Sequence, residues 1–104
     1  MKVPLTNEEL ITDVIQREGG GLINVAGDSG GLTFEGISIK SNPDLFQHGI
    51  PTHEQVRQRY LDRYVIGPGF EKIPDMKLRS LLVDYGVLSG PFLAIQALQR
   101  SLLV

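Results

Sequence analysis

Three consecutive glycines at residues 19–21 are the strongest constraint on how this chain can fold. Each glycine inside a helix costs roughly 1 kcal/mol relative to alanine, so three in a row end a helix. The segment before them begins with a capping box formed by Thr6 and Glu9 and continues with apolar residues at helical spacing. The sequence therefore predicts a first helix that ends at the glycines.

The stretch after the glycines, residues 22–38, reads LINVAGDSGGLTFEGIS. Its two short runs of β-forming residues around a glycine-rich turn predict a hairpin or an irregular β-loop. Gly-Asp-Ser-Gly-Gly also surrounds the nucleophile of chymotrypsin-like proteases. A serine nucleophile needs a histidine base, and His48 and His53 both follow Ser29 without a strand-to-helix elbow beside a serine. We interpret the stretch as a turn of residues that tolerate positive φ.

Three further helices are predicted downstream. A second capping box, formed by Thr52 and Gln55, marks the start of the second helix, and the third begins near Asp75. Ser89 is expected to cap a fourth helix with Pro91 at its first position. The predicted fold class is mainly α (α+β), one domain over residues 1–104, with a small β-hairpin or β-loop after the first helix.

Composition excludes several kinds of function. The net charge of −2 and the pI of about 5.6 leave no broad basic surface, so we expect no nucleic-acid binding. With no cysteine, two separated histidines and no P-loop or dinucleotide fingerprint, we expect no cofactor and no metal. No run has transmembrane length and the N-terminus lacks the apolar region of a signal peptide, so we expect no membrane insertion.

Glu18 is the strongest candidate for acid catalysis. It follows Ile15 and Val14 by three and four residues, which continues the apolar face of the first helix. In the last helical turn the dipole disfavours a negative charge, and partial burial would also favour the neutral carboxyl group that a general acid requires. The alternative is that Glu18 extends from the helix end into solvent.

Other polar residues accompany Glu18. Asp28, in the glycine turn, is a candidate for positioning water or stabilising positive charge on a sugar ring, or else for fixing the loop as an Asx turn. Glu35 is expected to be a solvated strand residue, and Asp84 a helix-surface residue or a hydrogen-bond acceptor. Thr33 is a candidate for holding a water or a sugar hydroxyl, or a β-branched strand residue.

The order of these motifs resembles glycoside hydrolase family 108, the muramidases of phage endolysins and bacterial cell-wall lysins. The positions in register are Glu18-Gly19-Gly20, Asn24, Asp28, Gly30-Gly31, Thr33 and Gly36-Ile37-Ser38. Downstream, PTHEQVRQRYLDRY is similar to a family helix with Thr-x-Glu and two tyrosines, and LLVDYGVLSGPFLAIQALQRSLLV to the segment after it. The departures are Gly21 in place of Tyr, Ala26 near a common Pro, and Ser89 in place of Asn.

The resemblance implies a lysozyme-like fold and assigns the catalytic acid to Glu18. In our leading hypothesis Asp28, or a water held by Thr33, assists at the anomeric carbon. The candidate substrate-binding residues are Gly19, Gly20, Asn24, Ser38, Tyr60 and Tyr64. The expected reaction is hydrolysis of the β-1,4 bond between N-acetylmuramic acid and N-acetylglucosamine, by a monomer whose partner is the glycan strands of peptidoglycan.

Two alternative functions differ in how much of the sequence they explain. Gly21 and the length of the chain favour a non-catalytic peptidoglycan-binding or regulatory domain on the same fold, whereas an unrelated helical interaction module does not explain the motif register. We expect synthesis in the cytoplasm and action on the cell wall or periplasm after release or export. Residues 89–104 are interpreted as the start of a truncated peptidoglycan-binding segment, which predicts weak wall binding and partly exposed Leu98 and Leu102.

Overall fold

The computed structural model describes residues 3–19, 21–24 and 32–102 of the chain. The elements in these ranges are, in order, α1 (Asn7–Arg17), β1 (Leu22–Asn24), β2 (Leu32–Phe34), β3 (Ile37–Ser38), α2 (His53–Tyr60), α3 (Met76–Ser89) and α4 (Pro91–Leu102). Short 3₁₀ turns form at Pro43–Phe46 and Phe70–Lys72, and a π-helical segment follows α2 at Leu61–Ile66. The mainly α fold with a small β-element after the first helix is confirmed.

The chain divides into two compact units. The sheet unit is Thr12–Arg59, and the helical unit combines Met1–Ile11 with Tyr60–Val104. Among the described residues, no helix combines the length and apolar character needed to cross a bilayer.

The sheet unit is built around a three-stranded antiparallel sheet in the order β1-β2-β3. Leu22 pairs with Phe34 in the first ladder, and Phe34 pairs with Ile37 in the second. The β2–β3 connection is a two-residue turn in which Glu35 and Gly36 have φ of 51° and 84°. Positive φ at both central positions is the type I′ geometry that matches strand twist. The second β-like run therefore folds back on itself, giving three strands.

The predicted start and end of α1 are confirmed. The hydroxyl of Thr6 accepts from the backbone N–H of Glu9 at 3.1 Å, while the Glu9 carboxylate accepts from the N–H of Leu5 at 2.9 Å. At the other end Gly19, with φ of 98°, donates its N–H to the carbonyl of Gln16 at 3.2 Å. A left-handed glycine just past the last turn is a common way to end a helix.

The second capping box forms in full. The hydroxyl of Thr52 accepts from the N–H of Gln55 at 3.1 Å, and the Gln55 side chain accepts from the N–H of Thr52 at 2.9 Å. Because each residue satisfies a backbone N–H of the other, α2 begins where the sequence predicts. After Tyr60 the chain continues as the π-helical segment, and Gly67 bonds back to the carbonyl of Asp62 at 2.8 Å.

Helices α3 and α4 pack together in the helical unit. The carboxylate of Asp75 caps α3 by accepting from the N–H groups of Lys77 at 2.9 Å and Leu78 at 3.3 Å. The expectation that Ser89 caps α4 is wrong, because Ser89 is the last residue of α3. Gly90, with φ of 94°, makes the break instead, and α4 begins at Pro91 as predicted.

Each unit has its own set of buried side chains. In the helical unit they are Leu10, Ile11, Tyr60, Val65, Phe70, Leu82, Val83 and Ala94. In the sheet unit they are Val14, Ile15, Ile37, Phe46 and Val56, together with the polar residues Glu35 and Asn42. A buried polar side chain needs a hydrogen-bond partner, and both of these have one.

Candidate active site

Glu18 lies just beyond the last residue of α1, in the sheet unit. Its backbone N–H still donates to the carbonyl of Val14 at 3.0 Å, but its side chain is exposed. The expectation of partial burial is therefore wrong. Because α1 ends at Arg17 and Gly19 turns the chain, Glu18 does not continue the apolar stripe. The carboxyl group instead faces solvent, where a bound ligand can reach it.

The glycines after Glu18 connect it to the sheet. Gly19 and Gly21 both have positive φ, 98° and 70°, while Gly20 lies outside the described residues. The carbonyl of Gly21 accepts from the backbone N–H of Glu35 at 2.9 Å. A tyrosine at position 21 would be strained at this φ, which gives a physical reason for the glycine there.

The sheet brings two of the candidate site residues together. Thr33 on β2 lies directly opposite Ser38 on β3, and both are half-buried. Opposed residues of an antiparallel pair point to the same face with Cβ atoms about 5 Å apart. The Ser38 hydroxyl also accepts from the N–H of Ser41 at 3.2 Å. This face therefore carries two neighbouring hydroxyl groups.

Several candidate residues are beyond what the structure describes. Asn24 pairs with Leu32 through the β1–β2 ladder, but its side chain is not among the described parts. Asp28 and Ser29 lie outside the described residues, as does the rest of the Gly-Asp-Ser-Gly-Gly turn. The roles assigned to them stay predictions.

The two candidate tyrosines belong to the helical unit, and their burial separates them. The rings of Tyr60 and Tyr64 lie 5.8 Å apart at an angle of 37°. Tyr60 is only 3% exposed, so it is a core residue and offers almost no ring surface to a sugar. Tyr64 is half-buried and stays a candidate for contact with the substrate. Asp84, the other polar residue considered from the sequence, is half-buried on α3.

Glu35 is the residue that the sequence interpretation misplaced. It is 6% exposed in the β2–β3 turn, not solvated on a strand. Its carboxylate binds Nδ1 of His53, at the start of α2. The Phe34 ring lies 5.5 Å from the imidazole at a tilt of 40°. The signal that could have found this geometry is Glu-Gly between two β-like runs, which resembles the Asn-Gly and Asp-Gly type I′ turns.

A second polar cluster fixes the chain where it leaves β3. The side-chain amide of Asn42, which is 3% exposed, donates to the carbonyl of Ser38 at 3.1 Å. Arg59 of α2 donates to the side-chain oxygen Oδ1 of Asn42 at 3.0 Å and to both carboxylate oxygens of Asp44. The hydrogen bond from Arg59 holds the pKa of Asp44 below its usual value. This cluster ties the loop after the sheet to α2.

The described residues contain no group of three or more metal-ligating side chains suited to hold a metal ion. What they do present in the sheet unit is an accessible carboxyl group and a face with two hydroxyls. A carboxylic acid that protonates a leaving oxygen is the central requirement of glycosidic-bond hydrolysis. The arrangement therefore suits a glycoside hydrolase.

Comparison with known families supports the same class. The family model described as glycosyl hydrolase 108 matches residues 11–90, well over half of the chain, and the chain belongs to this family. It is accordingly a glycoside hydrolase, and its substrate is a glycan. No curated protein compared with the chain matches it.

Proposed function

We propose that this glycoside hydrolase is an N-acetylmuramidase, which cleaves the β-1,4 bond between N-acetylmuramic acid and N-acetylglucosamine in peptidoglycan. The observation that carries the proposal is the family match over residues 11–90. The matched span contains Glu18 and Thr33 in the order and spacing of the resemblance. The exposure of the Glu18 carboxyl group adds support, because a catalytic acid must reach the glycosidic oxygen.

In this proposal Glu18 is the general acid. Before the glycan binds, its carboxyl group is in contact with water. A bound glycan strand would exclude that water, and the protonated carboxyl group would donate its proton to the leaving oxygen. The two left-handed glycines that flank position 20 carry no side chain, so the sugar can approach the backbone closely.

The second half of the reaction needs a group at the anomeric carbon. Asp28 fills this role directly, or Thr33 holds the attacking water. Ser38 opposes Thr33 in the ladder, so the two hydroxyls can share one water or one sugar hydroxyl. Gly19, Gly20 and Asn24 are the further substrate contacts of the proposal in the sheet unit.

In this proposal the enzyme works as a monomer on the glycan strands of the cell wall. It reaches them after release or export from the cytoplasm, as a phage endolysin or bacterial lysin does. Its net charge of −2 gives no electrostatic attraction to an anionic wall. We therefore expect weak retention on insoluble peptidoglycan and cleavage that requires high enzyme concentration.

Analysis of the new reducing ends tests the bond specificity. Purified peptidoglycan is digested, reduced with borohydride and hydrolysed to its amino sugars. A muramidase converts muramic acid into its alcohol, whereas a glucosaminidase converts glucosamine. An amidase or peptidase releases amino groups without new reducing ends. Reduced muramic acid supports the proposal, and either of the other results contradicts it.

A non-catalytic peptidoglycan-binding domain is the second candidate function. The observation in its favour is Gly21, which stands where the family has Tyr. A parent protein that is retained on peptidoglycan but releases no reducing ends at high concentration would support this candidate over the muramidase.

A further inference from the structure

We infer that His53 is a substrate contact for the glycan and that Glu35 is the residue that positions it. The inference deepens the proposed function and rests on it. Glu35 and His53 come from different elements, the β2–β3 turn and the start of α2. The hydrogen bond between them is not required by the acid chemistry assigned to Glu18.

The imidazole has one nitrogen engaged and the other turned outward. The Glu35 side chain is 8% exposed and binds Nδ1, while the His53 side chain is 79% exposed. Nδ1 and Nε2 flank Cε1 and their hydrogen-bonding directions point away from each other. Nδ1 points toward the buried carboxylate and most of the side chain is exposed, so Nε2 is open to solvent. A neutral imidazole that donates Nδ1–H to a carboxylate keeps a lone pair on Nε2. This atom accepts a hydrogen bond from a sugar hydroxyl or from an N-acetyl amide N–H.

The ring is held in place before the ligand arrives. Glu35 fixes one edge, and the half-buried Phe34 ring supports one face at 5.5 Å. An exposed side chain that is free to rotate loses entropy on binding, whereas an oriented one loses less. Orientation of an exposed imidazole by a buried carboxylate is therefore of use to a binding site, and of little use to the core.

Glu35 occupies a position that is unfavourable for a glutamate. Its φ of 51° lies in the left-handed region, where Gly or Asn fits the same turn with less strain. Its carboxylate is also buried, which adds a desolvation cost. Two unfavourable features at one residue are typical of positions retained for a role other than stability.

The pair lies at the same end of the sheet as Glu18. The N–H of Glu35 donates to the carbonyl of Gly21, three residues after Glu18. Chain length and cross-strand spacing limit the distance between the Cα atoms of Glu18 and Glu35 to at most about 16 Å. A glycan strand with its scissile bond at Glu18 can extend to His53 with a neighbouring sugar.

Nuclear magnetic resonance of the two histidines tests the contact. The Glu18→Gln variant, labelled with ¹⁵N, is titrated with a tetrasaccharide of alternating N-acetylglucosamine and N-acetylmuramic acid. The ring nitrogens of His53 should shift along the same saturation curve as the Gly21 amide. His48, the other histidine of the chain, lies in an exposed loop and should not shift. A shifting Gly21 amide beside unmoved His53 nitrogens would overturn the inference.

Kinetics on soluble glycan strands separate the two roles. His53→Phe keeps a ring against Phe34 and removes both ring nitrogens, Nε2 and the Nδ1 that Glu35 binds. KM should rise about 3- to 10-fold, the effect of one lost hydrogen bond to the glycan, with kcat within about twofold. Glu35→Gly suits the left-handed turn but frees the imidazole, so KM should rise similarly while the unfolding midpoint stays near that of the parent. Glu35→Gln retains an acceptor for Nδ1–H and should restore the parental KM.

His48→Phe is the matched control and should leave KM and kcat unchanged. If His53→Phe also leaves both unchanged, or if Glu35→Gly lowers the unfolding midpoint without changing KM, the inference is wrong. The muramidase proposal is tested separately, by measuring the muramic acid reducing ends that the parent protein releases. Shifted His53 nitrogens in a protein that releases none would support the contact and contradict only the enzymatic proposal.

Discussion

Asp44 accepts hydrogen bonds on both carboxylate oxygens from the guanidinium group of Arg59. Asp44 belongs to the 3₁₀ turn Pro43–Phe46, and Arg59 to the last turn of α2. The same guanidinium group bonds the buried Asn42 at 3.0 Å. One arginine thus organises the loop that leaves the sheet, because it satisfies three acceptor oxygens at once.

This pair predicts a pH dependence of stability. The hydrogen bond from Arg59 lowers the pKa of Asp44 from its usual value of 3.8. Because the folded pKa is the lower one, the pair stabilises the fold above pH 3.8 and its contribution is lost as the pH falls through the folded pKa. Urea denaturation should find Asp44→Asn less stable than the parent at neutral pH, by a small amount that disappears in acid.

Arg59→Gln supplies the control for this measurement. In that background Asp44→Asn should have little effect at any pH, since the partner that shifts the pKa is gone. A stability difference between Asp44→Asn and the parent that persists unchanged into strong acid would show that the carboxylate charge is not what stabilises the loop.

The capping box of α2 predicts the effect of removing one hydroxyl. Thr52→Ala should lower the free energy of unfolding by about 1 kcal/mol, because the N–H of Gln55 loses its acceptor. Thr52→Ser keeps the oxygen and should stay within about 0.5 kcal/mol of the parent. Chemical denaturation measures both variants, and equal losses from Ala and Ser would show that the hydroxyl does not cap the helix.

Two glycines four residues apart, Gly86 inside α3 and Gly90 directly after its end, should respond in opposite directions to alanine. A Cβ at Gly86 would meet its nearest neighbours, on Pro91, Ala94 and Tyr64, at 3.6 to 3.8 Å, which is ordinary van der Waals contact. Gly86→Ala should therefore stabilise the fold by about 0.5–1 kcal/mol through helix propensity. Gly90 has φ of 94°, and a Cβ there would have no neighbour within 4 Å. Gly90→Ala should therefore lower the free energy of unfolding by about 1–3 kcal/mol through backbone strain alone. Thermal unfolding measures both variants, and midpoint temperatures that shift in the same direction would contradict this geometry.

Adjacent leucines on α3 test which face of the helix is buried. Leu82 is 7% exposed and Leu81 is 58% exposed. Leu82→Ala should lower the free energy of unfolding by about 2–5 kcal/mol because it leaves a cavity. Leu81→Ala should change the free energy of unfolding by no more than about 0.5 kcal/mol. Exposed apolar residues recur along this helix at helical spacing, namely Leu78, Leu81, Tyr85 and Leu88. Comparable losses from the two substitutions would mean that the exposed stripe is covered in solution.

Local signals predicted the boundaries of the elements well. Thr52 and Gln55 bind each other's backbone within four residues of chain, so the start of α2 needs no distant partner. Gly19 ends α1 through its own φ. Ser89 shows the limit of such signals. The left-handed Gly90 ends α3 directly after Ser89 and itself occupies the position before α4, so Ser89 is not placed to cap α4.

Side-chain environments were predicted less well, and the physical reason differs between two residues. Glu18 follows the last residue of α1 and its side chain is exposed, although its N–H still bonds the carbonyl of Val14, so helical spacing alone did not predict its environment. Glu35 is buried with a partner 18 residues away in sequence. Periodicity within one segment carries no information about such a contact. The hypothesis that Glu18 is the acid rests on a motif that is local in sequence and needs no such contact.

The most direct test of the account is the rate at which muramic acid reducing ends appear with Glu18→Gln. The parent should release them from purified peptidoglycan, and the variant about 10²- to 10⁴-fold more slowly with an unchanged unfolding midpoint, because Gln keeps the shape of the exposed side chain and cannot donate the proton. Glu8→Gln, the same chemical change at the other end of α1, should match the parent. A Glu18→Gln protein that releases muramic acid ends as fast as the parent would show that Glu18 is not the catalytic acid.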